Sequence, residues 1–176
     1  EMHAKKIRRL YGLAVKMGAP VIGLIDCAGV RLAEATDALF AFGTLYREQA
    51  LASGVVPPIQ AVYGLCGGSL SVSAALADFT FMEKDAKLFF HAPNAISGNT
   101  EAELDTASAE FRSEESGTAD FVGTQEDMEL SLSLKKKAIT DKLTLIGNSA
   151  SSKEQEAPLA QDRESQGTEN PQKDNA

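Results

Sequence analysis

Two glycine-rich turns, each placed directly behind a short apolar run, constrain the fold of this chain more than any other feature. The first is DCAGVRLAEA, residues 26–35; the second is YGLCGGSLSVSAALAD, residues 63–78. The runs that feed them, PVIGLIDC at 20–27 and IQAVYG at 59–64, are short, continuous and apolar. Runs of that kind read as strands buried on both faces of a parallel sheet. A strand that stops at glycine-rich backbone and hands over to a helix leaves N–H groups open at the positive helix end. Each glycine pair also has a purely local reading, as the backbone needed for a tight strand-to-helix turn. Two such turns on successive strands of one sheet share the edge where ligands sit in open parallel sheets.

The remaining elements fit the same scheme. Ile7, Leu10, Tyr11, Ala14 and Val15 recur at helical spacing opposite a basic face, and Gly18 and Pro20 stop that helix. Residues 32–53 read as a long helix with Leu39, Phe42, Gly43 and Tyr46 at core spacing, ended by Gly54 and Pro57–Pro58. A small-residue helix is predicted from about Ser69 to Ala77. FTFM at 79–82 and KLFFH at 87–91 read as strands joined by the charged turn Glu83–Ala86. Residues 101–116 look helical and ADFVG at 119–123 looks like a strand, followed by an amphipathic helix with Thr124 as its N-cap. Strands alternating with helices imply right-handed crossovers and a mostly parallel α/β sheet with flanking helices.

Composition narrows the partners. The net charge is −8, with no basic block spaced to follow phosphates, which argues against nucleic acid and anionic membranes. No apolar run approaches the roughly 18 residues of a spanning helix. Cys27 and Cys66 lie in apolar stretches, too few for a disulfide framework, which favours a cytoplasmic location. No cluster of metal-ligating residues stands out. The chain begins with Glu1, so it reads as a fragment of a domain covering residues 1–147. Residues 148–176 contain one Leu and no aromatic residue, and read as a disordered acidic tail.

DCAGVRLAEA, GLCGGSLSVSAALADFTFM, KLFFHAPNAI and TASAEFRSEESGTADFVG together resemble the carboxyltransferase subunits of biotin-dependent acyl-CoA carboxylases and decarboxylases, and the related malonate decarboxylase subunit. The resemblance covers roughly residues 1–125. It implies a crotonase-like ββα spiral and a cleft for acyl-CoA and carboxybiotin, shared between two such domains or subunits. It implies oxyanion holes built from backbone amides, with Gly29 and Val30 as one pair and Gly67 and Gly68 as a second amide-rich turn. Ala28, Arg31 and Cys66 would line the substrate. Biotin would arrive on a separate carrier protein, the substrate would be a coenzyme A thioester, and no metal would be needed. A homo- or hetero-oligomer is implied as well. Ala28 and Ala92 stand where many relatives carry glycine.

Other readings stay beside this one. Arg31 either meets CoA phosphates or pairs with Glu34 at the helix start. His91 ends a strand and reads as structural. Cys27 and Cys66 have no base beside them in sequence and read as small apolar packing. An enoyl-CoA hydratase or isomerase resembles the chain around the second turn, but the positions after Gly68 are Ser69, Leu70, Ser71 and Val72, with no carboxylate for acid–base work. G-x-S-x-G is absent, so a serine hydrolase is disfavoured. A third reading is an inactive fragment that needs a second domain or subunit.

Overall fold

The computed structural model describes residues 1–92, 94–95 and 104–155. The elements run α1 Met2–Met17, β1 Val21–Cys27, a 3-10 turn Leu32–Glu34, α2 Ala35–Ala52, β2 Pro58–Gly67, α3 Ser69–Ala75, β3 Phe79–Glu83, β4 Lys87–Phe89, α4 Ala109–Glu114, β5 Phe121–Gly123 and α5 Gln125–Gln155. The sheet order is β1-β2-β3-β5 and every paired strand is parallel.

β2 is the axis of the sheet. Its first half, Ile59–Val62, pairs with β3, and its second half, Leu65–Gly67, pairs with β4. FTFM and KLFFH therefore do not pair with each other across Glu83–Ala86; they follow one another along the same neighbour. On the other side β1 pairs with β2 from Val21↔Pro58 to Cys27↔Cys66, with a register shift between Ile25 and Cys27. That register brings the ends of both glycine turns side by side.

Alternation along the strands divides the core. Ile59, Ala61 and Phe81 pack with Met128 and Leu132 of α5, while Ile25, Val62, Cys66 and Met82 pack with Ala74 of α3 and Ala109 of α4 on the opposite face. The α1–α2 seam is built from small residues: Ala4 meets Ala41 and Leu45, and Tyr11 meets Ala52 and Val56. This corrects the expected stripe on α2. Ala38, Ala41, Leu45 and Gln49 are buried, whereas Leu39 and Gly43 face outward and Phe42 and Tyr46 are half-buried. The alanines let the helices approach closely, and the larger side chains are rotated off the seam. On α1, Leu10 and Val15 are likewise exposed.

α4 begins only at Ala109, with the Ser108 side chain accepting from the Phe111 amide, so residues 104–108 of the predicted helix are irregular and 101–103 lie outside the described residues. α5 opens on a reciprocal cap. The Thr124 amide donates to the Asp127 carboxylate at 3.2 Å, and the Asp127 amide donates to Thr124 Oγ1 at 3.3 Å. α5 continues to Gln155, past the Gly147 boundary drawn from composition; the rest of that tail, 156–176, lies outside the described residues. The chain divides into two compact units, Glu1–Leu143 and Thr144–Ala176. Among the described residues no helix is long and apolar enough to cross a membrane.

Candidate active site

The two glycine turns touch. Gly29 has φ 128°, a conformation L side chains rarely adopt, and a Cβ built there would stand 3.0 Å from the Gly67 carbonyl oxygen. A Cβ on Gly67 would stand 2.4 Å from the Ala28 carbonyl oxygen and 2.8 Å from the Phe89 ring. The turns thus pack backbone on backbone, a distance that a side chain at either position would open.

Asp26 ties them together. Its Oδ1 accepts from the Leu65 amide at 3.0 Å, and a Cβ on Gly64 would meet that same oxygen at 2.3 Å. The carboxylate fills the register shift between β1 and β2, where the ladder has no bond to offer. Beyond it, Cys27 Sγ donates to the Gly29 carbonyl at 3.3 Å.

The amides of Gly29 and Val30 donate to no other described residue, so this turn presents two open N–H groups. The second turn differs. The Gly68 amide, expected to line the site as a donor, donates to the Phe89 carbonyl at 2.9 Å. Gly68 instead joins β4 to the start of α3, and its carbonyl accepts from both the amide and the hydroxyl of Ser71. Gly67 belongs to β2 and supplies the wall against which the first turn rests.

Cys66 is expected from the sequence to line the substrate and also to pack as a small apolar residue. It is fully buried among Ile25, Val62 and Leu88, and burial, followed by the neighbouring Cys27, pushes its thiol up to about 12. Ala28 is exposed at the turn. Arg31 is exposed and forms no ion pair with a described residue, Glu34 included. His91 is exposed with its ring edge-on to Phe90 at 4.9 Å. Among the described residues no group of His, Cys, Asp or Glu could hold a metal ion.

A cavity of about 550 Å³ opens between α1, β1 and α2, lined by Cys27, Gly29 and Arg31 together with apolar residues such as Ile7, Tyr11 and Leu45. That size suits a small organic ligand. The arrangement as a whole offers backbone donors and small-residue walls; of the titratable groups lining the cavity, Asp26 accepts from Leu65 and Cys27 donates to Gly29, while His3 and Glu34 also line it. Sequence reasoning found the two turns but missed what braces the second one. The Tyr46 hydroxyl donates to the Ser69 carbonyl, and Gln49 exchanges hydrogen bonds with Ser73. Nothing in the local pattern announces those partners; the polar Gln49 inside an apolar helix was the available signal.

The carboxyl transferase domain family matches residues 1–174 of the chain. The chain is 40% identical over 131 residues to the methylmalonyl-CoA decarboxylase alpha subunit of Veillonella parvula, covering 72% of this chain and 26% of that protein. It is also 40% identical over 134 residues to the propionyl-CoA carboxylase carboxyltransferase subunit of Haloferax mediterranei, covering 74% and 26%. It thus spans about a quarter of these relatives' length. Among solved structures, transcarboxylase 12S with methylmalonyl-coenzyme A and methylmalonic acid bound superposes with a TM-score of 0.66 at 32% identity, covering 72% of this chain and 25% of that one.

Proposed function

The chain belongs to the carboxyl transferase domain family, and on that footing we propose that it forms the acyl-CoA-handling part of an acyl-CoA carboxyltransferase, acting in a carboxylase or a decarboxylase. Its α/β sheet is the crotonase-like one of its structural neighbours. The observation that carries the proposal is the pair of open amides at Gly29 and Val30, at the carboxyl end of β1 and backed by Gly67.

Moving a carboxyl group to or from the α-carbon of a thioester places negative charge on the thioester oxygen. Two fixed N–H donors aimed at that oxygen hold the charge without reorganising, and one such donor is worth about 3–4 kcal/mol in comparable sites. The chain's residues divide the work. Gly29 and Val30 hold the oxyanion, Gly67 and Asp26 fix the turn that carries them, and the Arg31 guanidinium meets the CoA phosphates. Ala28 leaves room beside the turn. Biotin on a separate carrier would give the carboxyl group in a carboxylase and accept it in a decarboxylase, and its ureido group would serve as the base. The open backbone donors fit such chemistry, because both reacting groups present a carbonyl oxygen. A second carboxyltransferase domain or subunit completes the cleft, and two reduced thiols, Cys27 and Cys66, are in keeping with a cytoplasmic location. The reading as an enoyl-CoA hydratase lacks support, because no carboxylate follows Gly68 on α3.

The test is calorimetric titration of the native assembly with acetyl-, propionyl-, malonyl- and methylmalonyl-CoA, and with the corresponding free acids. Heat is expected with CoA thioesters and not with free acids. No heat with any thioester sinks the proposal.

A further inference from the structure

We propose that Tyr46 is a positioning residue whose hydroxyl, by holding the first residue of α3, sets the placement of the Gly29–Val30 amides; the inference rests on the carboxyltransferase reading above.

The geometry runs through contacts already described. Tyr46 lies on α2, and its hydroxyl donates to the carbonyl of Ser69, the residue directly after Gly68. One turn further along both helices, Gln49 Nε2 donates to the Ser73 carbonyl at 2.7 Å and Ser73 Oγ donates to Gln49 Oε1 at 2.8 Å. α2 therefore grips α3 at two levels, and the levels differ in kind. Gln49 and Ser73 are buried, 1% and 7% exposed, so their bonds satisfy polar groups that would otherwise be stranded in the core. Tyr46 is half-buried, and its ring is steadied by Phe42 at 6.0 Å, so losing the hydroxyl strands nothing inside the core.

What the Tyr46 hydroxyl does restrain is a swivel. Gly68 has φ 56° and ψ −130° and no side chain to limit rotation. On one side its amide is pinned to the Phe89 carbonyl at 2.9 Å. On the other side the Ser69 carbonyl is pinned by Tyr46. Between these pins lies Gly68, which with Gly67 forms the backbone that Gly29 rests against: a Cβ on Gly29 would stand 3.8 Å from Gly68 Cα and 3.0 Å from the Gly67 carbonyl oxygen. A shift of the α3 start is thereby passed to the backbone of the amide turn. Burial raises the Tyr46 hydroxyl above its ordinary value, with the Ser69 bond acting the other way, so the group stays a protonated donor at neutral pH.

Tyr46→Phe in the native assembly removes the hydroxyl and keeps the ring. Carboxyl transfer or decarboxylation with methylmalonyl- or malonyl-CoA should lose roughly tenfold in kcat, with KM for the thioester within about twofold, as expected for small misplacement of a reacting geometry. The melting temperature should stay within about 2 °C of wild type. Gln49→Met is the structural comparator and should lower the melting temperature by several degrees, because Ser73 is left unpaired. Wild-type kcat in Tyr46→Phe overturns the inference, and so does a kcat loss accompanied by a drop in melting temperature as large as that of Gln49→Met. An inactive wild type that binds no thioester instead removes the carboxyltransferase reading, and this inference falls with it.

Discussion

The Asp26 carboxylate accepts the Leu65 amide at 3.0 Å, joining the strand that enters one glycine turn to the strand that enters the other. The bond bridges a register shift, so it replaces ladder bonds that the two strands cannot make there. Asp26→Ala should destabilise the protein by about 1 kcal/mol, below the usual range for a charged acceptor because the site is exposed. Gly64→Ala should do at least as much, since its Cβ would fall 2.3 Å from the same oxygen. Chemical denaturation measures both; a Gly64→Ala protein as stable as wild type would show that the carboxylate moves aside freely.

Backbone donors are separated from side-chain catalysis by proline. Val30→Pro removes one N–H and should reduce turnover by on the order of 10²–10³ if the turn holds the oxyanion. Val30→Ala keeps the amide and should remain active, as should Cys27→Ala, Cys66→Ala and Ser69→Ala. Circular dichroism and thioester affinity must accompany the proline variant, because proline also restricts Gly29. A well-folded Val30→Pro with normal turnover would remove the turn from the mechanism.

The two thiols should react very differently. Cys27 is exposed, whereas Cys66 is fully buried with its thiol pushed up to about 12. Titration with a disulfide reagent at pH 8 should modify one thiol quickly in the native state and the second only after denaturation. The raised thiol also has a sign in stability. Its contribution is complete below the unfolded value, 9.0, and is lost as pH rises from there toward about 12. Alkaline unfolding of Cys66→Ala should therefore be shallower than that of wild type.

At the other end of the pH scale, the α5 cap should fail in acid. Hydrogen bonds from Thr124 hold the Asp127 carboxyl below its usual 3.8. A lowered carboxyl stabilises the fold above the unfolded value, and that contribution disappears as pH falls through the lower folded one. Thr124→Ala should remove about 1 kcal/mol at neutral pH. The melting-temperature gap between wild type and Asp127→Asn should be present at pH 7 and shrink below 3.8. A gap that persists unchanged at pH 2 would mean that the carboxylate is not what caps the helix.

Much of this architecture is legible from local pattern. The apolar runs at 20–27 and 59–64 became β1 and β2, and both glycine turns sit at the carboxyl ends of those strands. Gly18, Pro57–Pro58 and Thr124 marked helix ends because capping and backbone restriction act within a few residues. The burial of Ala38, Ala41 and Leu45 in place of Leu39 was not legible. A helix of mixed small and large apolar residues offers two adjacent stripes, and only the close approach of α1 selects between them.

The sequence by itself determined the order of strands and helices, the two turns and the kind of backbone they need, because those depend on hydrophobic period and on glycine and proline sterics. The tertiary structure decided which amides remain open. Gly68 donates to Phe89 because β4 lies along the second half of β2, while Gly29 and Val30 lie past the end of the β1 ladder, where among the described residues no acceptor meets their N–H groups. It likewise set Tyr46 on Ser69 and Gln49 on Ser73, pairs 23 and 24 residues apart. Hydrogen-bond partners at such separations are chosen by how helices pack on the sheet, and no local pattern of residues encodes that choice.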